Sequence, residues 1–198
     1  MLIVVSGDSN GSCYEYQFTE NFNASGMLVY KDERPILCLC IVSSNSHYLL
    51  FVGGTAGDVA MIHMTLPVEP YDDFDPMLRL LINAHSMGTN AIAVQVLSDH
   101  HDRVLRIVSC GDDQGISCTD VTLSFYGNKK VINAQFTVNN AAFSALKGIQ
   151  FITNDLVVTT GYDQKISVWR FVGKKQLVKV HECTTDIGDV NRDRKAHV

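Results

Sequence analysis

Two stretches decide the fold: IVSCGDDQGISCT at residues 107–119 and VVTTGYDQKISVW at residues 157–169. Each reads as an apolar run, a Gly among acidic and amide turn residues, and a second apolar run. That is the pattern of two strands reversing through a tight turn, where Gly supplies a positive φ and Asp or Asn folds its side chain onto the local backbone. Two more copies lie upstream, VVSGDSNGSCYEY from Val4 and LFVGGTAGDVAMI from Leu50. Aligned on their first glycines, Gly7, Gly53, Gly111 and Gly161, the copies are spaced by 46, 58 and 50 residues. A second Gly follows four positions on at Gly11, Gly57 and Gly115, and Lys165 takes that place in the last copy.

Further apolar runs flank the hairpins: Ile36 to Val42 and Met77 to Asn83, Ala91 to Leu97 and Val131 to Val138, Leu146 to Ile152 and Gln176 to Val180. The helical periodicity of a βα protein is missing, and the short run Pro76 to Ala84 reads as strand. Four antiparallel strands in each repeat of about 40–50 residues predict an all-β chain, a partial β-propeller of about four blades. The units span approximately 1–30, 31–83, 84–138 and 139–181, and 182–198 reads as the start of a further blade or a frayed tail. Pro67 to Asp75 reads as an inserted surface loop.

The 198 residues are 46% hydrophobic and 19% charged, without low-complexity tracts, so a packed domain is expected rather than disorder. No apolar run nears the roughly 20 residues that cross a bilayer, and MLIVVSGDSNG meets turn residues too early for a signal-peptide core. A cytoplasmic protein is expected. Of the six cysteines, Cys13, Cys38, Cys40, Cys110 and Cys118 sit in strand-like runs and read as core residues; Cys183 lies apart. Neither disulfides nor zinc are expected, because no Cys-x-x-Cys pair occurs and Cys38 and Cys40 share one face of one strand. The net charge of −5 is uneven: residues 1–169 carry nine basic and seventeen acidic side chains, and residues 170–198 carry seven and four.

The close of the fourth unit, DQKISVWRF, resembles the end of a WD repeat, with Asp163 in the turn and Trp169 on the next strand. The third unit opens with NAHSMGTNAIAV, similar to the family's His at the start of a blade. The resemblance implies a hydrogen-bonded network of His85, Ser109 and Asp113 in the third unit, with Thr119 or Val121 where Trp is usual. In the fourth it implies Thr159, Asp163 and Trp169, with Ala142 where His is usual. Ser9 and Thr55 take the Asp position in the first two units, which have no Trp. More closely, residues 84–190 resemble the C-terminal blades of the WD-repeat subunit that partners an FtsJ-type tRNA 2'-O-ribose methyltransferase. That implies a non-catalytic adaptor which holds the methyltransferase and tRNA together for wobble-nucleotide methylation. Members of that family carry a further blade where this chain ends in NRDRKAHV, and this chain begins inside a blade at Leu2 to Ser6, so a partial propeller is expected.

No nucleotide-binding, hydrolase, zincin or kinase motif is present, and no enzyme activity, cofactor, metal or small-molecule substrate is expected. The GGTAG at Gly53 to Gly57 joins two strands, with no helix N-terminus to hold phosphate. His100, His101 and Asp102 lack further ligands for a metal, and Asp72, Asp73 and Asp75 lack the register of a calcium loop. Asp112 and Asp113 beside His85 suggest acid–base chemistry, but the network claims Asp113. Lys129, Lys130, Lys165, Arg170, Lys174 and Lys175 form a candidate partner or RNA contact, with Tyr126, Tyr162 and Phe171 the only aromatic neighbours. The alternative function is a general protein-interaction scaffold in ubiquitin-ligase, trafficking or signalling assemblies.

Overall fold

The computed structural model describes residues 2–18, 24–44, 47–65, 80–99, 102–124, 129–173 and 175–185. Among these every regular element is a strand, and they form four separate antiparallel sheets in which neighbours in sequence are neighbours in space. The first sheet holds β1 (Leu2–Gly7), β2 (Ser12–Phe18) and β3 (Ala24–Lys31). The second holds β4 (Ile36–Ser44), β5 (His47–Gly54), β6 (Asp58–Thr65) and β7 (Leu80–Asn83). The third holds β8 (Thr89–Asp99), β9 (Asp102–Gly111), β10 (Ile116–Ser124) and β11 (Lys129–Val138). The fourth holds β12 (Leu146–Phe151), β13 (Leu156–Gly161), β14 (Lys165–Val172) and β15 (Gln176–Thr184).

Strand register corrects the alignment made on glycines. The pairs Gly7↔Cys13, Gly53↔Val59, Ile116↔Cys110 and Thr160↔Ile166 place the hairpin midpoints at Asn10, Ala56, Asp113 and Asp163. Spacing between equivalent residues is therefore 46, 57 and 50. Asp8 and Gly54, not Gly7 and Gly53, stand where Gly111 and Gly161 do, so the alignment on first glycines sits one residue off in both upstream copies. Gly54 opens its turn by accepting from the Gly57 amide, as Gly111 accepts from Gln114. The left-handed residue falls one place after each midpoint, at Gly11, Gly57, Gln114 and Gln164, with φ of 78°, 88°, 62° and 57°. Asn10 and Ala56, not Ser9 and Thr55, occupy the position of Asp113.

Three other boundaries change. The first sheet has three described strands rather than four. The last strand runs to Thr184, so residues 182–184 complete the fourth sheet rather than begin another unit. Of the expected strand Met77 to Asn83, the part 80–83 is strand and 77–79 lie outside the described residues, as do the insertion 67–75 and the tail from 186.

The core lies between sheets. Because side chains alternate along a strand, on the two strands that each of these hairpins joins the residues an odd number of places from the midpoint face the following sheet and those an even number away face the preceding one. Cys13 and Val29 of the first sheet pack with Leu50 and Ile62 of the second. Phe51, Val59 and Met61 of the second pack with Leu105, Ile107 and Val121 of the third. Val108, Cys110, Ile116 and Cys118 of the third pack with Val157, Trp169 and Phe171 of the fourth. The opening strands of the last three sheets run side by side, β4 against β8 and β8 against β12.

Candidate functional site

The third sheet carries a buried polar chain built from its approach segment and its central β9–β10 hairpin. His85 precedes β8, and its amide donates to Gly57 O at 3.0 Å, which anchors it beside the preceding turn. The ring Nδ1 lies 3.0 Å from Asp113 Oδ1, and Nε2 lies 2.9 Å from Ser109 Oγ. A carboxylate only accepts, so Nδ1 carries the proton and Nε2 accepts from the Ser109 hydroxyl. Asp113 also accepts from the amides of Gly115 and Ser86, both at 3.0 Å. The His85 side chain is 1% exposed with both nitrogens engaged, so it has no reach to a substrate.

The fourth sheet carries the complementary half. Trp169 Nε1 donates to Thr159 Oγ1 at 2.9 Å, and both residues are buried. Asp163 accepts from the Lys165 amide at 3.2 Å and, at the limit of 3.5 Å, from the Phe143 amide. With Ala142 in place of His, its carboxylate has no ring to hold. Register decides between the two candidates for the Trp position in the third sheet: Thr119, six residues beyond Asp113, matches Trp169, six beyond Asp163. Val121 matches Phe171.

Around the turns of the last two sheets lies a mixed charged and aromatic surface. Asp112 accepts from Asn90 Nδ2 and Lys147 Nζ, both at 2.7 Å, and these donors hold its carboxyl below the usual carboxylate range. Lys147 also stands 5.0 Å from the Tyr162 ring, and Lys165 stands 5.0 Å from the ring of Phe143. Phe143, Tyr162 and Met87 are 84%, 72% and 55% exposed, the largest solvent-facing apolar groups near the turns.

The six basic candidates divide. Lys165 sits at the turn end, paired with Glu182 at 2.5 Å; Lys165 first, then Lys179, hold that carboxyl at about 2. Lys129 and Lys130 open β11 at the opposite end of the strands, where burial pushes the Lys130 ammonium down. Arg170, 3.7 Å from Asp155, and Lys175 in the β14–β15 turn belong to that opposite end as well. Lys174, Tyr126, His100, His101, Asp72, Asp73 and Asp75 lie outside the described residues.

Two buried contacts, one ion pair and one hydrogen bond to a carboxylate, had no counterpart in the sequence reading. Arg106 Nε and Nη2 meet the two Asp120 oxygens, each at 2.8 Å, and the guanidinium lies 4.3 Å from the Phe171 ring of the next sheet. The signal was legible: Arg106 and Asp120 stand seven residues either side of Asp113, which makes them cross-strand partners. Glu15, buried in the first sheet, accepts from the Tyr48 hydroxyl of the second and from Gln17. Burial and that carboxylate push the Tyr48 hydroxyl up.

All six cysteines are free, and no three His, Cys, Asp or Glu side chains converge among the described residues. Among those residues, no helix is long and apolar enough to cross a membrane. Against known proteins, the chain matches no family model, and no curated protein matches it.

Proposed function

We propose that the chain is part of a WD-repeat β-propeller and acts as a non-catalytic adaptor, holding an FtsJ-type methyltransferase and tRNA together for 2'-O-ribose methylation at the wobble position. One observation supports the propeller reading above the rest. The His85–Ser109–Asp113 chain and the Trp169–Thr159 bond occupy register-equivalent places in consecutive four-stranded meanders whose opening strands run side by side. The adaptor role rests on the residue pattern of 84–190, and a cytoplasmic setting accompanies it. The deeply buried His85 favours a binding role over acid–base catalysis.

Phe143, Tyr162 and Met87 favour a second reading, a protein-interaction scaffold without RNA, since their exposed apolar surface suits a protein partner better than phosphate. The full 198-residue chain, tagged and co-expressed with an FtsJ-type tRNA methyltransferase, distinguishes the two. Retention of both the methyltransferase and tRNA supports the adaptor. Loss of the methyltransferase at low salt removes it, and retention of the enzyme without tRNA leaves the scaffold.

A further inference from the structure

Gly88 leaves a notch at the turn end of the second and third sheets. A Cβ there would lie 2.9 Å from Leu37 Cδ1 and 3.1 Å from Asp112 Oδ2, so an apolar group bounds the space on one side and a carboxylate oxygen on the other. Leu37 and Met87 beside it are 43% and 55% exposed. Asn90 and Lys147 both donate to Asp112 Oδ1, which leaves Oδ2 to face the notch. Leu37, Asn90 and Lys147 reach this rim by a shared device. A register shift near the start of β4, β8 and β12 makes each of them the extra residue of its strand, and such a bulge re-aims a side chain.

Lys147 ties the notch to two aromatic rings of the fourth sheet. Its ammonium, 2.7 Å from Asp112, stands 5.0 Å from the Tyr162 ring, and Lys165 stands 5.0 Å from that of Phe143. The Tyr162 amide donates to Ala145 O at 3.2 Å, which fixes the hairpin against the segment that carries Phe143. Rings held in this way are ordered before a partner arrives, which lowers the entropy lost on binding. The fold does not require the Phe143 ring: Ser86 holds the same place in the third sheet, its amide on Asp113 as that of Phe143 is on Asp163.

Charge selects the partner. In the turns and approach segments 54–58, 84–88, 111–115, 139–147 and 161–165, the carboxylates of Asp58, Asp112, Asp113 and Asp163 outnumber Lys147 and Lys165. Both ammonium groups are already engaged, by Asp112 and Glu182. The approach segment 32–35 adds two carboxylates and one guanidinium, which keeps the sign. A polyanion such as RNA meets like charge here, and a basic segment meets its complement. We propose that this face binds an extended protein segment with basic and apolar side chains along one edge. A basic side chain lays its methylene stem over Leu37 and Met87 and brings its head across Gly88 to Asp112 Oδ2; an apolar one meets Tyr162 and Phe143. The inference rests on the protein-binding role proposed above and names the chemistry of the partner.

Fluorescence polarisation with the full chain tests this. The probe is a labelled peptide in which arginine and leucine alternate on one face of an extended chain and serine fills the other. The same peptide with glutamate for arginine, and decauridylate, serve as competitors. The arginine peptide is expected to bind and neither competitor to displace it. Asp112→Asn removes the charge and keeps the shape, and Gly88→Ala fills the notch; each is expected to weaken binding about tenfold, the scale of one charge-assisted hydrogen bond. Phe143→Ser, at an exposed place, is expected to weaken binding with the urea midpoint unchanged. A parent chain that does not bind, equal binding of the glutamate peptide, or full affinity in both Asp112→Asn and Gly88→Ala overturns the proposal, and displacement by decauridylate overturns it in favour of RNA. A chain that misses the peptide yet retains the methyltransferase sinks this surface and spares the adaptor; one that binds the peptide but not the methyltransferase does the reverse.

Discussion

Asp120→Ala should destabilise the seam between the third and fourth sheets by about 3–5 kcal/mol, the cost of leaving a buried charge without its partner. Arg106 and Asp120 side chains are only 10% and 12% exposed and meet through two bonds of 2.8 Å. With the carboxylate gone, the guanidinium keeps the Phe171 face at 4.3 Å, a contact worth about 1–2 kcal/mol and too weak to replace the pair. At a denaturant slope of about 2 kcal/mol per molar, the urea midpoint falls by roughly 1.5–2.5 M. Trp169 is the chain's single tryptophan and shares a core cluster with Phe171, so its fluorescence follows this seam. The double variant Arg106→Met, Asp120→Leu removes both charges and should stay within about 1 kcal/mol of the parent. A shift under about 0.5 M for Asp120→Ala would mean that water reaches Arg106 and that the sheets do not close over it.

Gly57→Ala should cost well over the about 1–2 kcal/mol of a left-handed alanine, because its Cβ would meet His85 O at 2.4 Å and Met87 O at 2.5 Å. Gly173→Ala, with a similar φ of 64° but open space around it, should cost only the conformational part; equal urea shifts for the two would contradict the packing. Brief alkylation of the native chain at mildly alkaline pH should modify exposed Cys183 first, since burial pushes Cys13, Cys110 and Cys118 up to about 12; early adducts on those three in a peptide map would refute it. Asn90 and then Lys147 lower the Asp112 carboxyl below its unfolded value near about 4, so its stabilisation is whole above that pH and fades as pH falls through the folded value. Asp112→Asn should therefore lower the urea midpoint at neutral pH and approach the parent in acid; a gap that persists at low pH would show that the carboxylate charge is not what stabilises.

The hairpins were legible because their signals are local. Gly111 with Asp113, or Gly161 with Asp163, marks a reversal without knowledge of anything distant. The exact midpoint was not legible in the first two copies, where the leading glycine lies one place before the residue equivalent to Gly111, and only the pairings of Gly7 with Cys13 and Gly53 with Val59 resolve it. Trp169 and His85 carried their roles in residue type, whereas Thr119 did not, since threonine suits any strand. The Glu15–Tyr48 contact joins residues 33 apart on different sheets, and nothing short of the stacking order brings them together. The six basic residues looked like one patch along the chain, but Lys165 opens β14 at the turn end, Arg170 lies toward the other end of that same strand, and the antiparallel β11 opens with Lys129 and Lys130 at that far end.

Among the described residues each hydrophobic cluster spans one boundary between consecutive sheets, and none joins all four sheets. Cohesion is then a property of borders: damage at one seam is felt by two neighbours and fades beyond them, much as in a one-dimensional array. Amide exchange among the described residues should accordingly differ from seam to seam, each sheet responding to the boundaries it shares. A lesion in the Arg106 seam could loosen the fourth sheet while the Tyr48 seam stays protected.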